Sequence, residues 1–318
     1  MSRVTQASPR TPPARGDAAT RVRPQAGRSQ SSATRRNWLF LAPLAAVNLL
    51  VVAGPAVATV YYSLTEWNGL SAPTFIGFAN YVELVQDTRF LNAVGHNLYY
   101  AAFMLIVPIT MALFGAFMLS SVRRFRLLFR TLYFVPYIVL SVVNASIWKY
   151  LLSPETGIAA GLNQVGIHWL DDVYFLGDTD LALTSVAFVD NWHWWGFLVV
   201  LFLAAMQDVD KTLYESVRLD GASRFQEFWH VTFPSIRPTF VFVVVLTIIW
   251  SFLAFDYAYV LTRGGPADAS MLVSILLNAN AFSYQRAGYA SAMGVAMTSF
   301  TVVVLSVYTW LRKRGWEI

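Results

Sequence analysis

Apolar residues fall in six blocks, at about Leu39–Tyr62, Leu98–Leu119, Thr131–Leu152, Leu181–Met206, Thr239–Leu261 and Gly288–Leu311, separated by polar stretches. Blocks of about 20 residues at ~1.5 Å per residue cover a hydrocarbon core of ~30 Å. Backbone groups in lipid must be bonded within the segment. The blocks therefore predict helices, and the chain reads as an all-α polytopic membrane protein with about six transmembrane helices. Pro43, Pro55, Pro108 and Pro136 lie inside these blocks. A bundle tolerates them because neighbouring helices or water can satisfy the carbonyls that proline leaves unpaired.

Composition agrees with the pattern. The chain is 56% hydrophobic and 13% charged, against about a quarter charged in soluble domains. It has no cysteine, which excludes disulfides, zinc ribbons and thiol chemistry. A net charge of +5 could suggest nucleic acid, but most of it adjoins the apolar blocks, where it reads as a topology signal and an attraction to anionic lipid. Residues 1–37, rich in Arg, Ser, Pro, Ala and Thr, read as a disordered basic arm, and residues 38–318 as the transmembrane domain. Ala56-Val57-Ala58 resembles a signal-peptidase site. The long preceding arm and the apolar run beyond that site favour an uncleaved first helix.

Lys and Arg are distributed asymmetrically. They crowd the arm, the second loop (Arg123, Arg124, Arg126, Arg130), the fourth loop (Lys211, Arg218, Arg224, Arg237) and the tail (Arg312, Lys313, Arg314). The opposite loops hold only Arg89, Arg263 and Arg286, with Lys149 at a helix end, and the third loop (Ser153–Asp180) has five acids and no base. By the positive-inside rule both termini are expected in the cytoplasm of a cell whose inner membrane this chain crosses.

The fourth loop, about residues 207–238, has a pattern of its own. Thr212-x-x-Glu215 fits a capping box opening a short helix, and Gly221 is placed to end it. Ser223-x-x-Gln226 fits a second capping box, with Phe225, Phe228 and Trp229 on one stripe of the helix it opens. Pro234 is expected to punctuate the return to the membrane. Local chemistry leaves two readings open: a shaped knob for a partner, or a helix whose aromatics lie on the bilayer surface.

The spacing Glu215, Gly221, Pro234 resembles the EAA loop of membrane subunits of ATP-binding-cassette importers, Glu-Ala-Ala-x3-Gly-x9-Ile-x-Leu-Pro. Here Ser216 and Val217 replace the alanines, Val231 the isoleucine and Phe233 the leucine. Leu219-Asp220-Gly221-Ala222 is similar to the carbohydrate branch, which includes the maltose and glycerol-3-phosphate permeases. So are Gly77-Phe78-Ala79-Asn80-Tyr81, Tyr133-Phe134-Val135-Pro136 with Trp148, and Leu261-Thr262-Arg263-Gly264-Gly265-Pro266. The resemblance implies a permease subunit with a coupling helix (Glu215, Asp220, Gly221, Ala222, Phe225, Phe228, Pro234) seated in a separate ATPase. It implies no cofactor on this chain, ATP and Mg on the ATPase dimer, a second permease, and an extracytoplasmic sugar-binding protein.

Ionisable residues at membrane depth usually line a cavity or an interface. Asp190, inside Asp190-Asn191-Trp192-His193-Trp194-Trp195, and Asp256, beside Tyr257, are two such residues. Aromatic faces next to hydrogen-bonding groups suit sugars, so Asn144, Asn191, Trp192, Asp256 and Tyr257 are the candidate substrate path. An interfacial aromatic belt is the alternative. No G-x-x-x-x-G-K-[ST], H-E-x-x-H or G-x-S-x-G occurs, so the chain carries no phosphate loop and none of these hydrolase signatures. A gradient-driven carrier is the competing function, but its usual internal repeat is not evident.

Overall fold

A computed structural model describes residues 42–121 and 124–314. The basic arm, residues 1–37, lies outside the described residues. The chain divides after Gly54 into two units. In the first, residues 42–54 are helical and widen into a π-helical turn at Leu49–Ala53. Ala42–Tyr62 counts as one candidate span.

The second unit begins at Pro55. We label the helix closing the first span α1 (Gly54–Tyr62). It is followed by a two-stranded antiparallel hairpin, β1 (Thr65–Glu66) and β2 (Thr74–Phe75), in the register Thr65 with Phe75 and Glu66 with Thr74. The helices after it are α2 (Ala79–Gln86), α3 (Thr88–Ser121), α4 (Arg126–Ile138), α5 (Ser141–Leu151), α6 (Ile158–Gln164), α7 (Ala182–Gln207), α8 (Lys211–Leu219) and α9 (Arg224–Glu227). A π-helical turn, Phe228–Thr232, joins α9 to α10 (Phe233–Leu253). Three more helices complete the unit: α11 (Asp256–Leu261), α12 (Val273–Asn278) and α13 (Ala287–Lys313).

Among the described residues five helices are long and apolar enough to cross a membrane, and the pair α4 and α5 makes six if counted as one span. That pair corrects the expected straight third span. The chain bends by 93° between its two helices, because Val139 and Leu140 adopt extended backbone. Pro136 donates no hydrogen bond and weakens the last turn of α4. The second block also begins ten residues before the expected Leu98, at Thr88. The fifth is interrupted after Leu253, where Ala254 is extended and α11 starts anew.

Outside Asp190, Asn191 and His193, α7 carries apolar residues on all sides and packs against α3, α4 and α10. Val186, Leu198, Val199 and Phe202 are fully enclosed. Close approach depends on small residues, as is common between membrane helices. Ala112 and Ala116 of α3 are fully buried, Gly115 faces Val199, and Gly196 lies directly under the backbone carbonyl of Tyr133 in α4.

Far from the fourth loop, polar groups fasten the ends of the helices. Asn80 is buried and donates to the carbonyls of Ser63 and Thr65, both at 2.9 Å, anchoring the hairpin. Arg89 forms a forked pair with Asp268 at 2.9 and 3.0 Å, and Arg286 pairs with Glu83 at 2.6 Å. Two of the three arginines expected on the base-poor side are therefore matched by acids. In the Gly264-Gly265-Pro266 turn, fully buried Ser270 donates to the Gly265 carbonyl at 2.6 Å and shares a 2.7 Å hydrogen bond with Thr262.

Gly196→Leu should push α4 away from α7 and destabilise the fold by about 1–3 kcal/mol. Exposed Gly161, which a methyl group would leave uncrowded, serves as the Gly161→Ala control. Thermal unfolding of the purified variants checks this: a large loss for Gly196→Leu and little change for Gly161→Ala.

Candidate functional site

The fourth loop folds into two helices joined by a glycine turn. Asp210, not Thr212, caps α8: its carboxylate accepts the Thr212 amide at 2.9 Å. That bond from the Thr212 amide holds the Asp210 carboxyl below its usual range. This corrects the expected start by two residues, because an Asp two positions earlier offers the same orphan amides a charged acceptor. Glu215 consequently sits in mid-helix, exposed.

Gly221 has φ of +80°. Its amide donates to the Arg218 carbonyl at 3.1 Å, and the Ala222 amide to the Val217 carbonyl at 3.2 Å. These two bonds form a Schellman motif, which requires a left-handed residue at that point and favours glycine there. Ser223 then caps α9 in a complete, reciprocal capping box with Gln226.

Pro234 does not interrupt the chain. The helix runs through it, and the change of register lies just before it, where the Phe233 amide donates to the Phe228 carbonyl five residues back. A proline ring would crowd the carbonyl four residues earlier in a regular α-turn, and the wider π-turn relieves that crowding.

Two contacts that no motif indicated brace the helices of the loop against each other. Arg218 donates twice to Glu227, at 2.7 and 3.0 Å, and the Glu227 side chain is nearly enclosed. The Tyr214 hydroxyl hydrogen-bonds Thr232 at 3.0 Å. Spacing by four puts Tyr214 and Arg218 on one face of α8, leaving Thr212, Glu215 and Leu219 on the other. Leu219 is 89% exposed. The expected aromatic stripe divides. Phe228 packs edge-on against Phe117 of α3 at 5.1 Å, whereas Phe225 remains exposed. Glu215, Leu219, Asp220, Gly221 and Phe225 are thus all on the exposed surface, and Ala222 is half-buried.

The second feature is a cavity of about 570 Å³. Both interruptions of helix line it: Ile138 to Ser141, between α4 and α5, and Leu253 to Asp256, between α10 and α11. Irregular backbone at membrane depth is tolerated only where it is buried in protein or lines a cavity. The Tyr100 hydroxyl donates to Asp190, and Ser141 donates to Asp256. Tyr257 lines the wall, its hydroxyl held by the Asn144 amide at 3.1 Å. Asp256 and Tyr257 therefore face the cavity directly, and Asn144 backs them. Asn191 turns instead toward Met111, and Trp192 stands edge-on to Trp148. Asp190, His193 and Trp194 face the cavity, which is the i, i+3, i+4 stripe of α7. That periodicity within the aromatic run was the available signal for choosing them over their neighbours.

Two cavity-lining side chains are almost fully buried yet hold a polar atom with no hydrogen-bond partner among the described residues: Trp194 at Nε1 and Thr247 at Oγ1. Buried indole N–H and hydroxyl groups ordinarily find partners.

Residues 109–316 match the model of the family described as binding-protein-dependent transport system inner membrane component. The probable ABC transporter permease protein YurN of Bacillus subtilis is 35% identical over 293 residues, covering 88% of this chain and 97% of that one. The diacetylchitobiose uptake system permease protein NgcF of Streptomyces coelicolor is 33% identical over 276 residues, covering 83% of this chain and 78% of its own. In a crystal structure of a bacterial alginate ABC transporter, in complex with an alginate pentasaccharide-bound periplasmic protein, one chain superposes with a TM-score of 0.79 at 24% identity, covering 90% of this chain and 98% of that one. The chain belongs to the family of membrane components of binding-protein-dependent transport systems.

Arg218→Ala should release α8 from α9. Hydrogen–deuterium exchange should speed up through residues 211–222 while α7 stays protected, and Arg218→Lys, which keeps one charge but loses the fork, should fall between.

Proposed function

We propose that this chain is a permease subunit of an ATP-driven carbohydrate importer. In this reading it forms part of the translocation path and carries the work of a separate ATPase dimer into the membrane. The observation that bears most weight is the shape of the fourth loop: a Schellman turn at Gly221 followed by a capping box at Ser223, fixed by the Arg218–Glu227 fork and exposing Glu215, Leu219 and Phe225. A tethered loop would not hold such a face, and a rigid one can transmit displacement.

The route for that displacement is continuous helix. From Ser223 the chain runs through α9, the π-turn and α10 to the break at Ala254 that lines the cavity. These 30 residues, Arg224 to Leu253, make a rod of about 45 Å at 1.5 Å per residue. Movement of the loop therefore moves the cavity wall. Phe228 against Phe117 gives the same loop a hold on α3, which carries Tyr100 to the other side of the cavity.

ATP and Mg belong to the ATPase in this reading, and both termini, with the basic arm of residues 1–37, lie on its side of the inner membrane. The partners are the ATPase pair, a second permease and an extracytoplasmic sugar-binding protein. The sugar assignment is supported by the cavity, where aromatic rings adjoin hydroxyl and carboxylate groups, and by the diacetylchitobiose uptake system to which NgcF belongs.

Gly221→Asp puts a side chain on a left-handed residue at the tip of the exposed face. It should leave membrane insertion intact and abolish both transport and ligand-stimulated ATP hydrolysis in the reconstituted complex. Normal transport by an inserted Gly221→Asp protein, or uptake driven by a proton or sodium gradient without ATP, would sink the reading.

A further inference from the structure

The cavity at the two helix breaks has a one-sided charge. Its lining holds two carboxylates, Asp190 and Asp256, and neither lysine nor arginine. Each acid has one neutral donor, Tyr100 or Ser141. Among the described residues neither is paired with a cation: Lys149, the basic residue of α5, donates instead to the Val260 carbonyl at 3.0 Å. A carboxylate has about four acceptor sites, so one donor leaves most of its capacity unused.

The same lining holds aromatic rings. Trp194 and Trp250 stack at 5.0 Å, and His193 lies 5.8 Å from Tyr257. Acids beside aromatic faces attract cations, the first through charge and the second through the ring quadrupole. The same carboxylates repel an anion.

Trp194 Nε1 and Thr247 Oγ1 are sealed from the cavity, so the carboxylates are its main polar contacts. The geometry thus suits a ligand that brings hydroxyl or ammonium hydrogens to the acids. A carboxylate on the ligand would face Asp190 or Asp256 with no base to receive it.

The geometry points to a charge filter: this cavity admits neutral sugar units, favours amine-bearing ones and rejects uronates, with Asp190 and Asp256 as the specificity-determining residues. The inference rests on the permease reading above, and it separates this chain from the structurally similar alginate transporter, whose cargo is an acidic polysaccharide.

The test is direct binding to the full chain in lipid nanodiscs. Intrinsic tryptophan fluorescence is followed at pH 7 while glucose, glucosamine and glucuronate, and the matching galactose series, are added. In at least one series the amino sugar should bind tightest, and the uronate at least tenfold more weakly than the neutral sugar. The Asp190→Asn, Asp256→Asn double variant should shrink the ratio between amino sugar and uronate at least tenfold, and Trp250→Ala, which removes an exposed ring of the lining, should weaken the sugars of that series alike. A uronate that binds as tightly as the amino sugar in every series that binds overturns the charge filter and leaves the sugar site standing. Failure of both series to bind, or binding unchanged by Trp250→Ala, overturns the sugar site itself.

Discussion

Lipid supplies no hydrogen bonds to a backbone, and that constraint organises this molecule more than any single contact does. Where α10 stops within a span, side chains from other helices supply substitute donors. At the end of α10 the Ser251 carbonyl accepts from Asn97 at 3.3 Å, and the Ala254 carbonyl accepts from Ser274. Two residues beyond α4 the Leu140 carbonyl accepts the backbone amide of Asn144 at 2.9 Å, the first helical bond of α5. The chain is thus irregular where the cavity needs shape, and two half-helices begin there with Ser141 and Asp256 facing each other.

The spans were legible because block hydropathy is a strong signal, whereas the breaks were less so. Pro136 hinted at one, although the bend falls beyond it at Val139 and Leu140. The break at Ala254 follows an uninterrupted apolar run with neither glycine nor proline, and its supports, Asn97 and Ser274, come from α3 and α12. In the fourth loop, Gly221 and the Ser223 box could be read because left-handed backbone and capping each demand particular residues. Asp210 and Thr212 were competing caps that spacing could not rank. The Arg218–Glu227 fork crosses the glycine turn, where helical periodicity gives no guidance. Polarity in an apolar setting brought out Asp256 and Tyr257. Asn191 and Trp192 were drawn in by adjacency, although at about 100° per residue they point away from the face that carries Asp190, His193 and Trp194.

The division of polar groups follows the same logic at larger scale. The base-poor end is fastened by matched pairs, Arg89 with Asp268 and Arg286 with Glu83, around a hairpin held by Asn80. Exposed pairs of this kind are each worth about 0–1 kcal/mol, so they set position more than stability. The fourth loop is fixed from within by one fork and one hydroxyl contact, and its outer face is left uncommitted. One end is tied to itself, while the other presents a surface.

Ser141 and Asp256 are the first residues of two half-helices that come from different spans, and they bond to each other. Asn144 to Tyr257 and Lys149 to the Val260 carbonyl join the same two half-helices further along, so neither can swing without loading the other. The bent third span and the broken fifth therefore behave as two leaves on a common pin, and a push delivered along α10 turns a segment that α10 never joins.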